Sequence, residues 1–419
     1  MRLSRLVSKT AKSVSAEAES INAKLLLQGG FVHQEMAGVY SWMPLGLKVL
    51  RNVERVIREE MNAIGAQEIL MSALQPKENW LTTERWDAVD VLFKVPSQTG
   101  KEYGLGPTHE EIVTPLVRDF VRSYKDLPVA VYQIQTKFRD ELRAKSGVLR
   151  GREFGMKDLY SFHATRADLE QYYEVVKDAY LKVFKRLGLN AKVVEASGGS
   201  FTKKFSHEFQ VLTSAGEDKI LTAEKTAFAQ NEEVATMKPG DIAPDTGEVL
   251  DWHTGVEVGN IFDLGTRFSE PFEVAVTLEN GERVHAFMGC YGIGTTRLVG
   301  TIVEACHDES GIVWPKEAAP FEVQMVSLFG RDEAGQALVR EASERLYADL
   351  QAAQIEVLWD ERADLSPGAK FADADLLGMP VRILVSEKSL ATGEVEWKDR
   401  ATGEVQMVPM VDVIKKLRA

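Results

Sequence analysis

The sequence predicts an α+β body, an antiparallel sheet flanked by helices, over residues 1–316, followed by a small α/β domain over 317–419. Three observations carry this. The 419 residues are 44% apolar and 27% charged, with 32 Gly and 14 Pro, a globular composition at a length for two or three domains. Two strand-like runs, AVYQIQTKF (130–138) and EFGMKDLYSF (153–162), flank a charged loop, LRAKSGVLRGR, as in a long β-hairpin. Past the link WPKEAAP (314–320), bracketed by prolines, strand-like and helical runs alternate, the order of a mostly parallel sheet.

Residues from about 17 to 30 and from 45 to 65 read as helices. In the second, Leu47, Leu50, Val53, Val56, Ile57 and Met61 recur at spacings of three and four between charged positions, and Gly65 stops the run. AQEILMSAL (66–74) reads as a strand, and the hairpin follows. ADLEQYYEVVKDAYLKVFKRLG (167–188) carries a helical stripe through Leu169, Tyr172, Val176, Tyr180, Val183, Phe184 and Leu187, ending at Gly188. Short strand-like segments fill 189–288. Beyond the link come strand (FEVQMVSLF), helix (EAGQALVREASERLYADLQAA), strand (IEVLWD), helix (AKFADADLLG), strand (VRILVSE), a hairpin containing Gly, and a closing helix in VDVIKKLRA.

The net charge is −13, from 50 Lys plus Arg against 63 Asp plus Glu. That excludes a protein that grips nucleic acid by bulk charge, because displacing counterions takes a basic excess. Cys290 and Cys306 are the only cysteines, which excludes a disulfide scaffold or a cysteine-rich zinc site and points to a reducing cytoplasm. No run approaches the roughly 18 apolar residues of a membrane-spanning helix. Four basic residues precede the first acid, Glu17, but no apolar stripe accompanies them, so an organellar transit peptide is not the expectation.

Three segments stand out chemically. In TKFRDELRAKSGVLRGREFGMKD (136–158), seven cations (Lys137, Arg139, Arg143, Lys145, Arg150, Arg152, Lys157) face four anions, a local +3 in an acidic protein. Arg139 and Glu141 flank Asp140 on the expected strand and so project from one face. An arginine fork there can grip phosphate or carboxylate, and a carboxylate beside it can accept from an amino group; a solvated strand face with cross-strand ion pairs is the plain alternative. In MGCYGIGTTRLVG (288–300), a strand runs into three glycines and then a helix that opens on Thr295, Thr296 and Arg297. Such a turn lets backbone approach an anion, but the order G-x-x-G-x-G is not the dinucleotide fingerprint, which argues against a dinucleotide-binding oxidoreductase. In GLGPTHEEIVTPLVRDF (104–120), a Gly-Pro turn delivers Thr108, His109, Glu110 and Glu111 to a helix start, where Thr108 as N-cap is the ordinary reading. His207 in FSHEF and Glu257 in GVEVGNIF are weak signals alone, and no H-E-x-x-H pair occurs.

In this order, the segments resemble the class II aminoacyl-tRNA synthetases, most closely their prolyl branch, over nearly the whole chain. Gly46 to Pro76 resembles motif 1, the dimer-forming element; TKFRDE with REF (motif 2, about 136–162) and MGCYGIGTTRL (motif 3, about 288–300) resemble the other two. GPTHEE, SHEFQVL with GED, VEVGNIFDLGT and ERADLSPGAKFADADLLGMPVRI resemble the prolyl branch specifically.

The resemblance implies a catalytic domain over 1–316 and an anticodon-binding domain over 317–419. It implies activation of proline with ATP and Mg2+ to prolyl-adenylate, then transfer to the 3′ end of proline tRNA, by a homodimer joined through motif 1. Arg139 would hold the α-phosphate and the substrate carboxylate, Glu141 would accept from the adenine amino group, Phe154 would stack on adenine, and Arg297 would grip the γ-phosphate. Arg150 would meet the phosphate tail, and Glu257 the magnesium. Thr108 and Glu110 would face the imino group of proline, with His207 and Cys290 in the same pocket. Arg382, Lys388, Lys398 and Arg400 would be the tail's tRNA contacts, although residues 320–419 carry 12 cations against 18 anions.

Two departures matter. Ser72 stands where motif 1 of this family has a proline, which bears on the dimer edge. Only positions 163–288 separate motifs 2 and 3, too few for the hydrolytic editing domain that many bacterial relatives insert there, so clearance of misacylated alanyl-tRNA would fall to a separate deacylase. Another synthetase of the same class, or an inactive paralogue that binds amino acid or tRNA, is the alternative; the presence of Arg139, Glu141 and Arg297 speaks against the inactive one.

Overall fold

The hairpin expected at 130–162 lies at the heart of the largest sheet. The computed structural model describes residues 1–14, 18–144, 146–199, 201–202, 205–330 and 332–418; Glu17 and Lys145 therefore lie outside the described residues.

Helix α1 (Ile21–Gln28) is followed by the hairpin β1 (Val32–Met36) and β2 (Val39–Trp42), which the sequence reading did not anticipate, and by the long helix α2 (Pro44–Ala63). After β3 (Gln67–Glu68), strands β4 (Leu74–Pro76), β5 (Phe93–Pro96) and β6 (Glu102–Leu105) form a small sheet, with α3 (Lys77–Thr82) between them and α4 (Glu110–Arg118) after them. The expected strand 66–74 is thus interrupted. Ile69 N–H donates to Tyr132 O, but Met71 N–H donates to the Gln133 side chain, so the ladder is broken there.

β7 (Val129–Phe138) and β8 (Glu153–His163) are the expected hairpin, and α5 (Arg166–Arg186) the expected helix. Thr165 caps α5 by accepting from Asp168 N–H, and Gly188, at φ +73°, turns the chain beyond its end. The region read as short strands contains β9 (Ala191–Ser197), β10 (Phe205–Leu212), β11 (Asp218–Thr222), β12 (Ala229–Asn231), β13 (Asp251–Gly265), β14 (Ala275–Thr277), β15 (Arg283–His285) and β16 (Phe287–Gly294). β16 corrects the sequence reading, since it continues through all three glycines and α6 (Thr295–Ala305) begins only after them.

Among the described residues, nine strands form one sheet in the order β10-β9-β12-β11-β13-β16-β8-β7-β3, mostly antiparallel. α5 covers one face with Leu169, Val176, Tyr180, Val183 and Phe184, all fully buried. On the other face, Val113 and Val117 of α4 pack with Phe162, Phe268 and Met288 at one end. This unit comprises Gln34–Tyr40 and Val53–Glu304.

The second compact unit comprises Met1–His33, Ser41–Asn52 and Ala305–Ala419. The short pair β17 (His307–Asp308) and β18 (Gly311–Ile312) is followed by β19 (Val323–Leu328), α7 (Glu333–Ala352), β20 (Val357–Asp360), α8 (Pro367–Leu377), β21 (Val381–Ser386), α9 (Glu387–Leu390), β22 (Glu394–Asp399), β23 (Val405–Pro409) and α10 (Val413–Arg418). The sheet order is β20-β19-β21-β22-β23; β19 pairs in parallel with both neighbours, and β21–β22 and β22–β23 are antiparallel. Val323, Met325, Leu346, Leu350, Trp359 and Ile383 form its core. The unit extends to both sides of residue 317, because Trp314 packs on Phe31 and donates its indole N–H to Leu377 O. No helix among the described residues is long and apolar enough to cross a membrane.

Candidate active site

Beyond the apolar end of the sheet, the open face of β13, β16 and β8 becomes the floor of a cavity. Register places Asn260, Gly292 and Asp158 in one row across these strands, with Phe262, Cys290 and Tyr160 in the next. Asn260, Gly292, Asp158, Phe262 and Cys290 all line the cavity. The space depends on Gly292: a Cβ there would meet only Met156 Sδ, at 3.9 Å, and would project into it.

Arg139, Glu141, Arg150, Phe154, Glu257 and Arg297, six of the expected site residues, line this one cavity. Arg139 and Glu141 do not lie on a strand as expected. β7 ends at Phe138, and a tight turn with Glu141 N–H donating to Arg139 O, 2.8 Å, brings both side chains in. The Arg139 guanidinium sits 5.2 Å from the Phe154 ring centre and donates to Pro107 O at 3.4 Å. Burial and then the charge of Arg297 lower the Arg139 pKa from its ordinary value, which is the signature of two cations converging on one space. Arg297 is fixed by Leu149 O at 2.8 Å and Glu257 O at 2.9 Å, and its ion pair with the Glu257 carboxylate is 3.4 Å. The Thr296 hydroxyl, one residue before it at the N-terminus of α6, lines the cavity and is buried without a partner. Arg150 donates to Glu141 Oε2 at 2.8 Å and to Glu217 Oε2 at 3.0 Å. Converging guanidiniums, a helix N-terminus and an aromatic ring can hold a phosphorylated ring compound.

The other end of the cavity is carboxylate-rich underneath. Thr108 is not an N-cap: that position belongs to His109, and the Thr108 hydroxyl instead donates to Glu110 Oε2 at 2.5 Å. Glu110 Oε1 accepts from Cys290 Sγ at 2.9 Å, so both lining residues rest on one fully buried carboxylate. Burial, and then the nearby Glu110, push the Cys290 thiol pKa well up, which keeps it a donor. Glu111 turns away to Arg85 at 2.8 Å, and burial raises its pKa to about 7.

Beneath the floor is a network that sequence reasoning missed. Lys137 Nζ meets Asp158 Oδ1 at 2.7 Å and His109 Nδ1 at 2.8 Å, while Asp158 Oδ2 accepts from Tyr160 and Gln133. Burial and then Lys137 hold the His109 pKa down at about 4, so its neutral ring accepts at Nδ1 and offers Nε2–H to Ser72 O, 3.1 Å away. At Ser72 the departure from the family pattern leaves this contact unaffected, because the backbone carbonyl makes it. Alternation along β8 could have flagged Asp158 as facing the same side as Tyr160, but not what it would meet.

Glu208 and Asn260 were also missed. Burial and then the charge of Glu257 raise the Glu208 pKa to about 8, and Asn260 Oδ1 is buried without a partner. His207 is not among the lining residues; its Nδ1 lies 2.7 Å from the Tyr173 hydroxyl, which donates to Ile261 O. In the other unit, Arg382 pairs with Asp375 and Glu396, Lys398 with Asp375, and Arg400, 7% exposed, with Asp308; Lys388 is exposed.

Residues 93–306 match the tRNA synthetase class II core domain (G, H, P, S and T), and residues 326–419 match the anticodon binding domain. The chain is 40% identical over 435 residues to the proline–tRNA ligase of Anaplasma phagocytophilum (strain HZ), covering 100% of both chains. It is 41% identical over 445 residues to that of Caulobacter sp. (strain K31), covering 100% of this chain and 98% of the relative. Among solved structures it is similar to Giardia lamblia prolyl-tRNA synthetase in complex with prolyl-adenylate. The TM-score is 0.79 at 20% identity over 97% of this chain and 78% of that one, a likeness of fold.

Proposed function

The chain belongs to the proline–tRNA ligase family, and from that premise we propose that it joins the carboxylate of proline to the α-phosphate of ATP, releasing pyrophosphate, and then passes the prolyl group to the 3′ end of proline tRNA. The observation that carries the reading is the single cavity that gathers Arg139, Glu141, Phe154 and Arg297 at one end and Thr108 and Cys290, over Glu110, at the other.

The nucleophile, a carboxylate, arrives ionised. Catalysis therefore rests on alignment and charge neutralisation rather than on a general base. The Arg139 fork, 5.2 Å from the Phe154 ring and 3.4 Å from Pro107 O beside Thr108, can hold the proline carboxylate and the α-phosphate together. Glu141 Oε1 accepts from the adenine amino group, Phe154 stacks on the ring, and Arg297 and Arg150 hold the phosphate tail. Glu110, fully buried beneath Thr108 and Cys290, supplies negative charge under the secondary ammonium of proline. His207 packs edge-on against Tyr173 and does not line the cavity, so a contact with proline is not proposed for it.

Glu257 and the partnerless Asn260 Oδ1 are hard oxygen donors lining the cavity and fit a magnesium ion, which characteristically keeps several waters and phosphate ligands of its own. When bound, the ion neutralises charge on the phosphates. Leu70 and Leu74 of motif 1, 75% and 49% exposed, favour a second copy as the covering partner. Of the four expected tail contacts, Lys388 is the exposed one, while Arg382, Lys398 and Arg400 would first have to leave carboxylates. Cys290 and Cys306 form no disulfide, which fits a reducing cytoplasm. The end-to-end alignment with relatives fits a short form without the editing insertion.

ATP–pyrophosphate exchange with each amino acid in turn tests the reading. Exchange that depends on proline is expected, and its loss in Arg139→Ala with the fold intact; exchange with no amino acid would overturn it.

A further inference from the structure

The loop that carries Arg139 and Glu141 is held from outside the sheet. The tip of the β1–β2 hairpin, within Gln34–Tyr40, belongs to the same compact unit as β7 and β8. There, Gly38 O accepts from Arg152 N–H at 2.8 Å, and Ala37 O accepts from the Arg152 guanidinium at 2.8 Å. The same guanidinium donates through Nε to Glu141 O at 3.0 Å, and the Arg152 carbonyl accepts from Arg139 N–H at 2.9 Å. One residue therefore spends four groups on joining the hairpin tip to the backbone of both Arg139 and Glu141.

Gly38 makes the approach feasible. At φ +75°, an added Cβ would lie 2.5 Å from Ala144 Cβ and 3.0 Å from Arg152 N. Only glycine accepts that conformation and that closeness together. Arg152 does not line the cavity, so its influence must pass through the residues it holds.

We propose that Arg152, latched to the hairpin tip at Ala37 and Gly38, is a positioning residue that sets Glu141 to read the amino group of the nucleotide base. This rests on the ligase reading, in which Glu141 meets adenine. Without the guanidinium, the turn from Arg139 to Glu141 loses the bond at Glu141 O and its side-chain tie to Ala37 O, and the carboxylate no longer waits at one place. A hydrogen bond that depends on fixed geometry is then lost in proportion.

The test is proline-dependent pyrophosphate exchange with ATP and with purine riboside triphosphate, which lacks the 6-amino group, in the unaltered protein, Arg152→Ala and Gly38→Ala. In both variants KM for ATP should rise on the order of tenfold, and the preference for ATP over the purine analogue should fall by a similar factor, with KM for proline little changed. Gly38→Ala disturbs the latch without removing the guanidinium. A nucleotide preference unchanged in both variants overturns the proposal. So does a complete loss of exchange in both, which would mark the latch as a folding element. Absence of exchange in the unaltered protein sinks the ligase reading instead, a separate outcome.

Discussion

The Lys137 ammonium lies 2.7 Å from Asp158 Oδ1 at the cavity floor, and the two residues are 0% and 1% exposed. Bulk solvent stabilises neither, so each charge leans chiefly on the other. Asp158→Asn should therefore cost about 3–5 kcal/mol of stability, and Lys137→Met about as much, while the double variant should recover a good part of the loss. Urea unfolding of the four proteins measures the coupling; additive losses would show that the pair is not a unit.

His109 makes stability depend on pH. Its ring is buried, and its pKa falls from the ordinary 6.5 to about 4, because burial and then Lys137 oppose a second positive charge. Depressed binding of a proton in the folded state means that its stabilisation is complete above pH 6.5 and is lost as pH falls toward 4, a change on the order of 3 kcal/mol. Thermal melts of the protein and of His109→Gln at pH 7 and pH 4.5 should show the gap between them closing at the lower pH.

Glu110→Gln removes the charge expected to meet the proline ammonium but leaves acceptors for Thr108 and Cys290. KM for proline should rise about 10- to 100-fold while KM for ATP stays near its starting value, as for a lost charged hydrogen bond. A parallel rise in both constants would place Glu110 in the scaffold instead.

Gly292→Val places a β-branched side chain on the cavity floor, where the nearest heavy atom to a new Cβ is Met156 Sδ at 3.9 Å. Folding should survive, with the melting temperature within a few degrees, and exchange should fall more than about tenfold because ligand space is filled. A large drop in stability would mean that the glycine serves packing.

A proline slot that selects by size admits the smaller alanine at a penalty of only ~1–3 kcal/mol per missing methylene. The purified protein should accumulate alanyl-tRNA, and adding a separate deacylase should clear it. Clearance of alanyl-tRNA by the protein alone would show a hydrolytic site within this chain.

Much of the site was legible because its residues come in short runs. Arg139 and Glu141, Arg150 and Phe154, and Thr296 with Arg297 sit within local patterns, and the cavity unites them. Where reading failed, a side chain outcompeted the local rule. Thr108 chose Glu110 over a helix N–H, and Gln133 took Met71 N–H from the ladder. The glycine run read as a turn is a strand because β13 pairs with it as far as Ile293 and β8 as far as Gly294, a cross-strand demand invisible in the run itself.

By itself the sequence determined the elements with strong periodicity, the hairpin at 129–163, the stripe of α5, and the clustering of cations in a protein of charge −13. Those follow from repeats of two and 3.6 residues and from counting. Tertiary structure alone decided that Lys137 and His109 lie beside Asp158, that Cys290 hangs from Glu110 across 180 positions, and that Gly38 reaches Arg152. Burial sets the protonation of such groups, and distant strands bring them together, so neither can be read from neighbours in the chain.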